Sequence, residues 1–303
     1  MASLDPDRLL DRRRLKRGVA IWRALAIVAL VAAILVGVSP FVFDDGERVA
    51  RLWVNGLIED SPRRDRLIAD LRDDDAVKAV VLRLDSGGGT AVGGEALYLS
   101  LRSLAEEKPV VAVLGTTATS AAYMAALAAD HVLAREASIT GSIGVLFQTA
   151  EFSALLEEIG VRAEAIRSGP LKAKPSVYEQ LDDPTRQAMR SVVSDTYELF
   201  LRLLMERRSL DRESALALAD GRVFTGRQAM QAGLVDAIGG EEEARAWLSQ
   251  AHGVPEVIPA ADVVTGEEGG LLGTIDAALK RSLPARTLAL DGLIAVWHPE
   301  LSD

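Results

Sequence analysis

The chain contains no cysteine. Disulfides and thiolate metal sites are therefore excluded, although the absence itself fits any compartment. Positive charge is scarce beyond the N-terminus. Residues 1–23 hold seven Lys or Arg against three Asp or Glu, whereas the whole chain holds 34 against 44. The body is strongly acidic, which argues against a nucleic-acid binder, since that would need a basic face. Histidine is nearly absent. His131, His252 and His298 are the three present. None has the Gly or Asp flanks of a triad histidine, and each reads as structural or exposed. Lysine is also rare, at six of the 34 basic residues: Lys16, Lys78, Lys108, Lys172, Lys174 and Lys280. Arginine does not lose its proton in a protein, but a desolvated lysine does.

Against these absences stands one long uncharged run, residues 24–43 (ALAIVALVAAILVGVSPFVF). Twenty residues at helical rise span a bilayer core. The basic residues before the run and the acidic ones after it place the N-terminus in the cytoplasm and the body outside it. The run reads as an uncleaved signal anchor in the inner or plasma membrane. A cleaved signal peptide is the alternative. The expected organisation is a basic N-terminus (1–23), an anchor (24–43), a catalytic domain (44–253) and a C-terminal tail (254–303).

The body alternates strand and helix patterns. Strands are expected over 47–57, 77–84, 109–114, 131–135 and 161–167, and helices over 62–73, 92–107, 120–129, 151–159, 183–207, 212–219 and 241–251. A short helix and a turn are expected within 223–238. Such alternation predicts an α/β layered fold with parallel strands. The tail is less regular. Residues 271–283 are weakly amphipathic, and 287–297 are apolar with only Asp291 charged. The latter segment reads as a packed helix or, alternatively, as an arm covering an exposed surface.

The organising stretch is 115–145. A short apolar strand runs through small residues into Ser120 and then into a helix-forming segment rich in Ala, Met and Leu. A serine at a helix N-terminus lies beside free N–H groups that stabilise an oxyanion; equally, it is an ordinary N-cap. A nucleophilic serine needs a base, and two of the six lysines share the loop SGPLKAKPS (168–176). Lowering a lysine from about 10.4 to about 7 takes about 4–5 kcal/mol of differential solvation, which burial supplies. Ser142 or Thr140 could orient such an amine. Gly87, Gly88 and Gly89 follow a strand without the GK[ST] of a phosphate loop. A loop of this kind can aim an N–H at an oxyanion.

The segments LRLDSGGG (82–89), ATSAAYMAALAAD (118–130), ITGSIGV (139–145), IRSGPLKAKPS (166–176) and DGRVFTGRQAMQAGLVD (220–236) resemble, in order and spacing, the signal peptide peptidase A family of membrane-anchored Ser–Lys peptidases, of the S49 type. The resemblance implies a Clp-protease/crotonase-like fold of stacked β-β-α units. It implies Ser120 as nucleophile, Lys172 as general base, Ser142 as the lysine-orienting hydroxyl, and the N–H groups of Gly89 and Ala121 as oxyanion hole. It implies no metal or other cofactor. It also implies signal-peptide remnants as substrates at the membrane, and a homo-oligomeric ring whose dyad is completed between subunits. Two departures stand out: Ala121 and Ala122 replace a usual Gly-Gly, and Gly87 replaces a usual Pro. Methyl groups at 121 and 122 are expected to narrow the cleft or change the backbone. A non-catalytic scaffold of the same fold, or an acyl-CoA enzyme of the crotonase class, are the alternative readings.

Overall fold

The computed structural model of the chain describes residues 22–23, 25–27, 46–264 and 294–296. It divides into two compact units, Met1–Gly46 and Glu47–Asp303. In the first unit, Trp22, Arg23 and residues 25–27 are helical. The rest of the expected basic segment and anchor lies outside the described residues, as does the amphipathic stretch 271–283. Among the described residues, no helix is long and apolar enough to cross a membrane.

The second unit is α/β. In chain order it runs β1 (Arg48–Ile58), α1 (Pro62–Asp73), β2 (Val77–Thr90), α2 (Ala91–Ala105), β3 (Val110–Thr119), α3 (Ala121–Ala126), β4 (His131–Ala134) and β5 (Ile139–Gly141). Then follow α4 (Ser153–Glu158), α5 (Asp183–Arg208), α6 (Arg212–Leu218), β6 (Val223–Thr225), α7 (Gly226–Gln231), β7 (Ala237–Ile238), α8 (Glu241–His252), β8 (Ala260–Val264) and β9 (Ile294–Val296). The main path of the sheet is β6-β5-β3-β2-β1-β8, with β4 on β3, β7 on β4 and β9 on β2. The central pairs β8/β1, β1/β2 and β2/β3 are parallel. The pairs β5/β6 and β2/β9 are antiparallel.

The two faces of the sheet follow the period of a strand. Ala50, Leu52, Val54, Val80, Leu82 and Leu84 face a core built with Ile68, Leu97, Leu101, Phe200 and Leu204 from α1, α2 and α5. The intervening Val49, Ala79, Val81, Val111 and Val113 face Ala244 and Leu248 of α8. Each fully buried Leu or Val contributes about 1.5–3 kcal/mol, so this two-sided sheet is the foundation on which the site rests. Helix starts follow local chemistry. Ser61 caps α1 ahead of Pro62, Thr90 caps α2 by accepting from the N–H of Gly93 at 3.0 Å, and Asp182 caps α5 through Thr185 at 2.9 Å.

Three expectations differ from the structure. Residues 161–167 form no strand. The segment pairs with no strand of the sheet, and Ile166 is 99% exposed. Strand β2 does not stop at Leu84 but runs through the glycines to Thr90. The part of the tail expected as a helix carries the short strand β9, and β8 joins the sheet beside β1.

Candidate active site

Ser120 sits at the junction of β3 and α3. Its backbone has φ 56° and ψ −120°, a conformation that L-residues rarely adopt. Several bonds hold this turn. The N–H of Ser120 donates to the carbonyl of Gly141 at 2.8 Å, and its own carbonyl accepts from Met124 at 2.9 Å, opening α3. One residue earlier, the Thr119 hydroxyl donates to the Gly87 carbonyl at 3.0 Å, and the Thr140 hydroxyl donates to the Ala118 carbonyl at 2.7 Å. A non-glycine residue in such a conformation costs about 1–3 kcal/mol, and it persists because its surroundings over-determine it. The Ser120 side chain makes no capping hydrogen bond to α3. The N-cap reading therefore fails: the hydroxyl is left for other work, beside first-turn N–H groups that have no partner within the helix.

A cleft of about 360 Å³ opens over Ser120. One wall is Ser142, Gly144, Val145 and Leu146. The other is Val193, Ser194 and Tyr197 of α5, with Ala219, Asp220 and Gly221 beyond. Tyr197 fixes that second wall by donating its hydroxyl to the Ala219 carbonyl at 2.7 Å. The lining is mostly apolar or uncharged, which suits an apolar peptide.

The structure brings Ser142 to the same cleft as Ser120. Ser142 has φ 48°, and its N–H donates to Arg222 at 2.8 Å. Thr140, the other candidate hydroxyl, is fully buried and committed to Ala118, so it serves the turn. Gly89 lies in β2, against the backbone of Ile58. Lys172 is on an exposed loop and does not line the cleft. Lys174 differs from it: its ammonium pairs with Asp182, whose carboxyl is held well below the usual carboxylate range by that hydrogen bond. Between the two loop lysines, Lys174 is thus engaged in structure. His131 and His252 do not line the cleft, and His298 lies outside the described residues. His131 stacks on Trp247 with ring centroids 4.7 Å apart, and His252 meets the same ring edge-on.

The methyl groups of Ala121 and Ala122 do not narrow the cleft. Both residues are fully buried and neither lines it. Ala121 packs toward α2, where a Cβ added to Gly94 would stand 2.9 Å from the Ala121 Cβ. Gly94 and the α5 wall are the parts of the site that sequence reading missed. The wall left a trace in the i, i+4 pair Val193 and Tyr197; Gly94 left none.

Comparison with known proteins bears on this geometry. The profile of peptidase family S49 matches residues 102–255, a span that includes Ser120, Ser142 and Lys172. A Synechocystis protein named as a protease is 35% identical over 216 residues, covering 71% of this chain and 78% of its own. An Enterococcus faecium protein named as signal peptide peptidase SppA is 29% identical over 212 residues, covering 65% of this chain and 62% of its own. Among solved structures, a variant of a membrane-bound stomatin-specific protease superposes with a TM-score of 0.49 at 13% identity, covering 72% of this chain and 98% of that one. The acyl-CoA reading is set aside by the family profile and the protease-named relative. With the profile spanning half its length and a protease-named relative aligned across most of both chains, this chain belongs to peptidase family S49.

Proposed function

We propose that this chain is a membrane-anchored serine endopeptidase with a Ser–Lys dyad, cleaving apolar peptides such as signal-peptide remnants. The observation that carries the reading is the backbone of Ser120. It is bent into a conformation with φ 56° while its hydroxyl is spared from capping and lines the cleft. Ser120 Oγ attacks the peptide carbonyl. A neutral Lys172 takes its proton and returns it to the leaving amine, and water then hydrolyses the acyl-enzyme. The N–H groups of Ala121 and Gly89 receive the oxyanion, and the Ser142 hydroxyl orients the amine.

The exposed position of Lys172 supports a dyad shared between neighbouring copies. The segment around it leaves Leu155, Ile159, Val161, Ile166 and Leu171 between 45% and 99% exposed. An apolar surface of that extent marks an interaction face, and a ring of copies would cover it and deliver Lys172 to the next Ser120. The uncharged run 24–43 would anchor each copy with its catalytic unit outside the cytoplasm.

Hydrolysis of a fluorogenic apolar peptide and labelling by a fluorophosphonate test the reading. Wild type should be active, and Ser120→Ala, Lys172→Ala and Lys172→Arg inactive, with Lys174→Ala retaining turnover. Mixing Ser120→Ala and Lys172→Ala copies should restore activity, because hybrid junctions then hold one intact dyad. Wild type that neither turns over nor labels would point to the scaffold alternative.

A further inference from the structure

The segment DGRVFTG (220–226) supplies none of the groups assigned to the chemistry, yet it borders the cleft at Asp220 and Gly221. It links the end of α6 to β6. Gly221 has φ 91°, a left-handed conformation that favours glycine and lets the chain reverse. The Asp220 carboxylate closes the reversal. It accepts from the backbone N–H of Arg222 at 3.0 Å and from the Arg222 Nε at 2.8 Å, so one side chain makes both an Asx turn and an ion pair. The guanidinium holds that carboxyl below the usual carboxylate range. The turn is moored to both walls of the cleft. On one side the Ala219 carbonyl accepts from the Tyr197 hydroxyl of α5 at 2.7 Å. On the other the Arg222 carbonyl accepts from the N–H of Ser142 at 2.8 Å. Next to that bond, Val223 pairs with Gly141, whose carbonyl accepts from the N–H of Ser120 at 2.8 Å. The fit is close: a Cβ at Gly141 would stand 2.6 Å from the Phe224 ring and 3.1 Å from the Arg222 carbonyl oxygen.

We propose that Asp220 is a positioning residue of the proteolytic site, locking the 219–222 turn so that the Arg222 carbonyl fixes Ser142 and aims its hydroxyl at the base. Asp220 is the charged residue among those that line the cleft. Its carboxylate is committed to Arg222 on both oxygens, so it is not free to bind a substrate cation. Stability does not explain the pair either. The Arg222 side chain is 61% exposed and that of Asp220 43%, and ion pairs in such surroundings contribute little. What the pair does is restrain a flexible place. A Cβ at Gly221 would meet nothing within 4 Å, so packing alone does not hold the turn. Ser142, with φ 48°, needs its neighbours to keep it in the left-handed region. The bond from its N–H to Arg222 is that hold, and Asp220 keeps the acceptor in place. The inference rests on the peptidase reading, in which the Ser142 hydroxyl receives the Lys172 amine.

Peptide kinetics and hydrogen exchange on the full chain test this. Asp220→Ala should lower kcat at least about tenfold with KM within about threefold, the mark of a group that acts on the chemical step. Asp220→Asn keeps an oxygen that accepts from the Arg222 N–H and should recover most of that loss. Arg222→Gln, which keeps the backbone bonds of the turn, is the gentler change and should cost about threefold in kcat. In a Ser142→Ala background the hydroxyl is gone, so adding Asp220→Ala should cost less than about threefold. Amide exchange at Ser142 should be at least about tenfold faster in Asp220→Ala than in wild type, with β1, β2 and β3 unchanged, which separates a loosened turn from a loosened fold. Unchanged kcat in Asp220→Ala overturns the proposal, as does unchanged kcat in Arg222→Gln if the alanine variant does not fold. A loss that multiplies in full with that of Ser142→Ala, or an asparagine that rescues nothing, overturns it as well. If wild type neither turns over nor labels with a fluorophosphonate, the peptidase reading has failed. Exchange at Ser142 then still decides whether Asp220 holds that backbone, and equal rates in the two chains would show that it does not.

Discussion

Replacing Gly94 by alanine tests how the nucleophile is seated. The new methyl would stand 2.9 Å from the Ala121 Cβ and 3.3 Å from the Met124 sulfur, whereas unstrained carbon contacts lie at about 3.5–4.0 Å. Alanine is favoured over glycine in a helix by about 0.8–1 kcal/mol, but overpacking costs about 1–3 kcal/mol, so a net loss of about 1 kcal/mol is expected. Ala121→Gly alone removes a buried methyl and frees the backbone, for a loss of about 1.5 kcal/mol. In the double variant the methyl at 94 occupies the space released at 121, and stability should return to within about 0.5 kcal/mol of wild type, a coupling of about 2–3 kcal/mol. Urea unfolding of the four chains measures it. Fluorophosphonate labelling should follow the same pattern. Gly94→Ala pushes on the first turn of α3, where Ser120 begins, and a shift approaching 1 Å costs about a hundredfold in rate. The double variant should recover most of that loss. Additive stabilities, with a coupling below about 0.5 kcal/mol, would refute the packing of Ala121 against α2.

Gly89→Ala should be far more severe, because the overlap is with the Ile58 backbone. A loss of about 3 kcal/mol or more in urea unfolding is expected. Tyr123 is fully buried, its hydroxyl donates to the Leu234 carbonyl at 2.7 Å, and burial pushes its pKa up to about 12. Tyr123→Phe should cost about 1–2 kcal/mol by stranding that carbonyl, and spectrophotometric titration should lose the last tyrosine to ionise, since burial raises Tyr98 and Tyr197 as well. Burial lowers the pKa of His131, with Asp236 partly opposing. The unfolded chain therefore binds a proton more readily, so stability is full above the ordinary histidine range and falls as pH drops through and below it. His131→Phe, which keeps the stack on Trp247, should flatten the melting temperature across that window.

Much of the fold was legible because its signals are local. Ser61 and Pro62 announce α1, whose bounds Pro62–Asp73 match the expected helix. The apolar run before Ser120 marks β3, and the small residues around the serine mark a turn too tight for larger side chains. What escaped the sequence depends on neighbours. Residues 161–167 have the alternation of a strand, but no edge receives them. Ile294–Val296 become a strand because β2 offers an edge that β3 has left. Gly94 has no evident role until Ala121 is placed against it. The scarcity of lysine pointed to the loop that holds Lys172 and Lys174, and the family resemblance chose Lys172, yet a single chain does not carry it to the cleft.

The parallel pairing of β1 with β8, from Val49 with Ala260 to Trp53 with Val264, joins almost the two ends of the compact unit. A chain made from its N-terminus exposes the outer edge of β1 until β8 has emerged. Contacts so distant in sequence slow folding, and an unpaired apolar edge invites association with other chains. The nascent protein thus holds a sticky border open for most of its synthesis, with no cysteine to staple intermediates. Any shortening of the C-terminus that reaches into β8 should therefore yield aggregates rather than a smaller soluble protease.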